Sequence, residues 1–141
     1  MCCVRSIVWV AASLLVLPMH VRAQRVDSTS AESRLVKTVC ERQIVVLGEL
    51  PSHGEGRTFQ AKASIVRRLV EECGFNALLF ESPIYDFLGL QDAITKGQAT
   101  LSQLDRAIGR FWLTRELSDW RQWLFQQTTN GALVLAAWMI R

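Results

Sequence analysis

Beyond its first two dozen residues, the chain alternates between short unbroken apolar runs and longer stretches where apolar residues recur every three or four positions. The runs are IVVLG at 44–48, ALLFES at 77–82 and ALVLAAWMI at 132–140. Short apolar, β-branched runs bounded by turn residues predict strands buried on both faces of a sheet. Between the first two runs, Phe59, Ala63, Val66, Val70 and Cys73 share one helical face, and Gly74 is placed to stop that helix. Strand, helix and strand predict a βαβ unit with a parallel pair.

Flanking segments read in the same way. Residues 32–41 carry Leu35, Val36, Val39 and Cys40, a short amphipathic helix expected to cover the first strand. Ser82 and Pro83 suit an N-cap and a first helical position, followed by a stripe of Ile84, Phe87, Leu88, Gln91 and Ile94 that Gly97 ends. Thr100 and Gln103 form a capping-box pattern ahead of Leu104 and Ile108. A last helix is expected from about Thr114, with Leu117, Trp120 and Leu124 on one side, before the Asn130-Gly131 turn. The predicted fold class is α/β: a partial three-layer parallel sheet of about three strands with flanking helices. Its third strand ends the chain and leaves an exposed edge, so the chain reads as cut short.

The N-terminus changes this picture. A short basic start, an apolar run SIVWVAASLLVLPM and the V-R-A tripeptide predict a signal-peptide helix over 1–23, cleaved after Ala23. An uncleaved anchor is the alternative, although the run is short for a span. The domain division is then 1–23 signal peptide, 24–41 lead-in and short helix, and 42–141 the α/β domain. Export to the periplasm or the extracellular space is expected, with no stable membrane association after cleavage. Losing Arg5 and Arg22 takes the net charge from +3 to +1, so no basic patch argues for nucleic acid. Cys40 and Cys73 remain in the mature chain. They could pair in an oxidising compartment, but Cys73 lies on the apolar face of its helix and reads more readily as a buried thiol.

Ligands of parallel sheets bind beyond the carboxyl ends of the strands. Glu49 and His53, in the loop ELPSHGEG, and Glu81, at the end of the second run, are expected to converge there. His53 is the only histidine of the mature chain, and its ordinary pKa suits a general base at neutral pH. It is equally readable as a solvated loop histidine. Lys62 either points back to the strand ends and pairs with Glu49 or Glu81, or snorkels along the surface. A zinc site lacks ligand spacing. Neither a dinucleotide nor a nucleoside-triphosphate loop is present, nor a G-x-S-x-G elbow, so any hydrolysis here would use water and no cofactor. Trp112, Trp120 and Trp123 read either as the lining of an apolar pocket or, given their helical spacing, as packing residues.

The segments LGELPSHGEGRTFQAK and GFNALLFES, followed by a glycine-punctuated helix and FW before the next helix, resemble the erythromycin esterase family over 41–141. The resemblance implies a hydrolase that opens ester or lactone rings, macrolides among them, and hence a role in the response to antibiotics. It implies His53 as the general base that activates water, Glu49 and Glu81 as carboxylates of the catalytic site, and Lys62 at a position usually basic. Glu49 and His53 are four residues apart, where the family spacing is three, and Ala137-Trp138-Met139 stands where the family commonly has Gly-x-Asp. Two functions follow as expectations. One is an exported esterase-like hydrolase, incomplete or inactive as this short chain. The other is a non-catalytic secreted α/β binding module or a decayed reading frame.

Overall fold

The computed structural model describes residues 28–48 and 56–138. The signal-peptide segment, Glu49 and His53 lie outside the described residues. Two strands, β1 (Ala77–Glu81) and β2 (Val134–Trp138), pair in parallel, with Ala77 opposite Val134 and Glu81 opposite Trp138. The crossover between them runs through α3 (Ile84–Thr95), α4 (Leu101–Ile108), two 3-10 turns (Arg110–Trp112 and Arg115–Leu117) and α5 (Ser118–Thr129). Ahead of β1 come α1 (Ser28–Val39) and α2 (Gly56–Cys73). Mixed helix with a small parallel sheet is an α/β arrangement, as the pattern of runs predicts.

One face of the sheet builds the core. Phe80 and Leu135 are buried there against Phe59 and Val66 of α2, Phe87 of α3, Leu104 of α4 and Trp120 of α5. The capping box forms as expected: Thr100 Oγ1 accepts from the Gln103 N–H at 3.3 Å, and Gln103 Oε1 accepts from the Thr100 N–H at 2.8 Å. Leu117, Trp120 and Leu124 are all buried, as their spacing predicts. The regular helix begins only at Ser118, because a 3-10 turn takes up Arg115–Leu117.

Four expectations need correction. The sheet has two strands among the described residues, not about three, and helices cover only one of its faces, so the three-layer arrangement is not present there. Residues 44–48 are not a strand. Their side chains alternate as in one, with Ile44 and Val46 80% and 85% exposed and Leu47 packed on the core. Among the described residues, however, no backbone hydrogen bond ties 43–48 to β1. A strand is defined by its ladder, and β-branched composition alone does not supply one.

Ser82 is not a helix cap. Its hydroxyl donates to the Ala107 carbonyl at 2.6 Å, and Pro83 takes the N-cap position without a side-chain hydrogen bond. The α3 stripe is out of phase: Phe87, Leu90 and Ala93 are buried, while Ile84 and Leu88 are exposed. This helix is apolar on most sides, so spacing alone could not fix which face turns inward when α4 and β2 pack on it.

The fourth correction concerns the thiols. Cys40 and Cys73 form a disulfide with Cα atoms 5.1 Å apart. Helices α1 and α2 lie side by side and run the same way. Ser64 donates to Glu32 at 2.7 Å, Arg68 donates to Ser33 at 3.1 Å and lies 3.6 Å from Glu32. That alignment brings the ends of both helices together, where the two sulfurs meet. Accordingly α1 packs on α2, and Val36 is buried.

Candidate functional site

The carboxyl end of β1 and the first turns of α2 carry the two candidate residues that the structure describes. Glu81 is the last residue of β1 and is exposed. Lys62, in the second turn of α2, is only 8% exposed, so the snorkelling alternative does not describe it. Its ammonium lies 5.6 Å from the centre of the Phe59 ring, a cation–π contact. Such contacts contribute about 0.5–2 kcal/mol, the larger figure where water is excluded.

A chain of rings links this lysine to the end of β1. Phe59 meets Trp112 edge to face with centroids 5.2 Å apart, and Trp112 meets Phe80 in the same way at 5.5 Å. Trp112 also stacks on Trp120 at 5.3 Å. Phe80 is the residue immediately before Glu81, so the cluster reaches the end of β1, where Phe80 faces the core and Glu81 is exposed. Trp120 and Trp123 are core residues, as their spacing favoured, whereas Trp112 is half-buried at the margin of the cluster.

Trp112 reaches this position through a backbone device. Gly109, between α4 and the 3-10 turn that carries Trp112, has φ 84° and ψ 167°. Residues with a Cβ rarely adopt this conformation, so glycine is what lets the chain turn back toward β1. The hydrogen bond from Ser82 to Ala107 fixes the residue after Glu81 to the end of the same helix. The ring cluster joins residues distant in sequence, and no local signal in the chain marks it beyond the FW pair at 111–112.

Glu49 and His53 lie outside the described residues, so the expected convergence with Glu81 involves described geometry only for Glu81 and Lys62. The loop that contains them is covalently anchored at Gly48 and Gly56. Among the described residues, no group of three or more His, Cys, Asp or Glu side chains is arranged to hold a metal ion. No helix among them is long and apolar enough to cross a membrane. No known family model matches the chain. Nor does any solved structure match its fold.

Proposed function

We propose that the chain carries one wall of an erythromycin-esterase-like hydrolytic site, acting on a small-molecule ester or lactone with water as the nucleophile. The observation that carries this reading is Lys62, a cation buried on α2 over the Phe59 ring, which Trp112 links to Phe80 of the strand that ends in Glu81. Buried charged side chains cluster at functional sites, and ligands of parallel sheets bind beyond the carboxyl ends of the strands.

In this reading His53 takes a proton from water, Glu49 and Glu81 hold the imidazole and stabilise its protonated form, and Lys62 faces the developing oxyanion. The half-buried face of Trp112 offers an apolar surface to the acyl portion. The disulfide supports the exported location, since such bonds persist in oxidising compartments.

Turnover by this chain is expected to be low. A general base contributes about 10²–10⁴-fold, whereas holding the reactants in place is worth about 7–11 kcal/mol in well-oriented systems. The described residues furnish one side of a site and little that would hold a substrate against it.

The test is hydrolysis of an activated aryl ester and of a macrolide lactone by the purified chain and by its His53→Ala variant. Weak hydrolysis lost in His53→Ala is expected. Equal rates in the two proteins would remove His53 from its role, and rapid lactone opening would overturn the incomplete site. One observation favours a second reading, a secreted module that binds without catalysis. Leu79, Val134 and Trp138 line an uncovered apolar sheet face. Saturable ligand or partner binding that is blocked by Leu79→Asp, with no hydrolysis at all, would select it.

A further inference from the structure

The 42–48 segment poses a physical question: what keeps it in place? Among the described residues its backbone has one hydrogen bond, from the Arg42 N–H to the Val39 carbonyl at 3.0 Å, and that bond belongs to the end of α1. Toward the core the segment offers Leu47, while Ile44 and Val46 face outward. Its beginning nevertheless lies beside the beginning of β1. Cys40, Arg42 and Gln43 form one side of a shallow open groove, and Cys73, Phe75 and Ala77 form the other.

The one covalent link across that groove is the Cys40–Cys73 disulfide. Cys40 stands two residues ahead of the segment, and Cys73 stands four residues ahead of β1. The bond therefore sets the distance between the two chain directions at their common starting point, where a parallel ladder would otherwise do so. Both cysteines are partly exposed in the wall of the groove, so a thiol can reach them.

We propose that the Cys40–Cys73 disulfide is a redox-sensitive clasp: intact, it holds the 42–48 segment beside β1, and reduced, it lets that segment go while the helices and the β1–β2 pair stay folded. The opening reaction is thiol–disulfide exchange with a dithiol. One thiolate of the reductant attacks a protein sulfur, forming a mixed disulfide and expelling the other protein sulfur as a thiolate that takes up a proton. The second thiol of the reductant then displaces the remaining protein sulfur. Two electrons and two protons pass to the protein, and the reductant leaves as its own disulfide.

The device matters for function because Gly48 leads directly into Glu49 and the loop with His53. This consequence rests on the hydrolytic reading above, but the clasp itself does not. Release of 42–48 acts on the segment that leads into these residues, whereas Lys62 and Glu81, on α2 and β1, keep their places.

Backbone order in the whole chain, oxidised and after treatment with dithiothreitol, tests the clasp without reference to catalysis. Amide order parameters at 43–48 are expected to fall on reduction from about 0.85 to below about 0.6, while those of 77–81 and 134–138 stay at the rigid value. Tryptic cleavage after Arg42, which is exposed, should speed up by about tenfold or more, as expected for a locally opened segment. The Cys40→Ser/Cys73→Ser protein should behave like the reduced one. Unchanged order at 43–48 would show that Leu47 packing suffices and would overturn the clasp. Loss of order across β1 and β2, or a double variant that fails to fold, would also overturn it, because the bond would then be a staple for the whole fold.

Discussion

Strand β1 and the 44–48 segment bracket α2, are equally apolar, and differ in what satisfies their backbones. Residues 77–81 pair along their whole length with 134–138, and the hydrogen bond from the Val134 N–H to the Asn76 carbonyl at 2.8 Å carries the connection on past the start of β1. Residues 44–48 have no ladder partner among the described residues. Both runs turn alternate side chains to the core, Leu78 and Phe80 in one, Leu47 in the other. Apolar character thus determines how deep a run sits, but the ladder determines whether it is a strand. The ladder also determines how the run is held: β1 by hydrogen bonds and core contacts, 44–48 by its covalent neighbours and one leucine.

The comparison predicts very different costs for similar substitutions. The largest is expected at Leu135, which is buried in β2 beneath the helices. Leu135→Ala removes apolar contacts from a core that cannot close over the gap and should cost about 2–5 kcal/mol. Denaturant unfolding with an unchanged slope would measure it. A loss below about 0.5 kcal/mol, the size usual for surface changes, would mean that the β1–β2 pair is no better packed than the free segment.

The sequence makes the helices and the two strands legible for a local reason. The period of α2, the capping box at Thr100 and Gln103, the glycine at 74 and the apolar runs at 77 and 132 each encode their structure within a few neighbours. What stayed hidden depends on distant partners. Whether 44–48 pairs is decided by residues elsewhere in the chain. The phase of α3 is decided by α4 and β2, and the fate of Ser82 by a carbonyl 25 residues away. The sequence allows the Cys40–Cys73 pair but favours a buried thiol, because Cys73 lies on the apolar face of α2, whereas α1 brings Cys40 to it. Of the candidate site, the sequence left Lys62 open between the strand ends and the surface, and the structure buries it. Its setting among Phe59, Trp112 and Phe80 comes from three separate elements and left no trace in the spacing.

A smaller effect is expected where α1, the element that leads into the free segment, is fastened to α2. Arg68 donates to Glu72 at 2.6 Å and also reaches Ser33 and Glu32 on α1. The hydrogen bond from Arg68, with its positive charge nearby, holds the Glu72 carboxyl below its ordinary value of 4.5. Because the folded value is depressed, the contribution is present above pH 4.5 and is lost as the pH falls through the folded value. Glu72→Gln should therefore lower stability slightly at neutral pH, and its difference from the wild type should shrink on acidification below pH 4.5. Both side chains are solvent-accessible, so added salt should shrink it as well. A difference that grew in acid would assign the Arg68 network to some partner other than Glu72.

The smallest effect is expected at Val46, and it sharpens the comparison most. Val46 is 85% exposed on a segment without a ladder, so Val46→Thr changes little that is buried and exchanges one β-branched side chain for another. The expected change in unfolding free energy is within about 0.5 kcal/mol. The same substitution at a covered sheet position would bury an unpartnered hydroxyl and cost about 1–3 kcal/mol. A penalty of that size at Val46 would therefore mean that this side chain is covered in solution. A ligand, a partner or another part of the chain would then lie over the outward side of the segment, where Ile44 is exposed as well. Measuring the variant at two protein concentrations separates these cases, since a penalty that grows with concentration identifies association between copies.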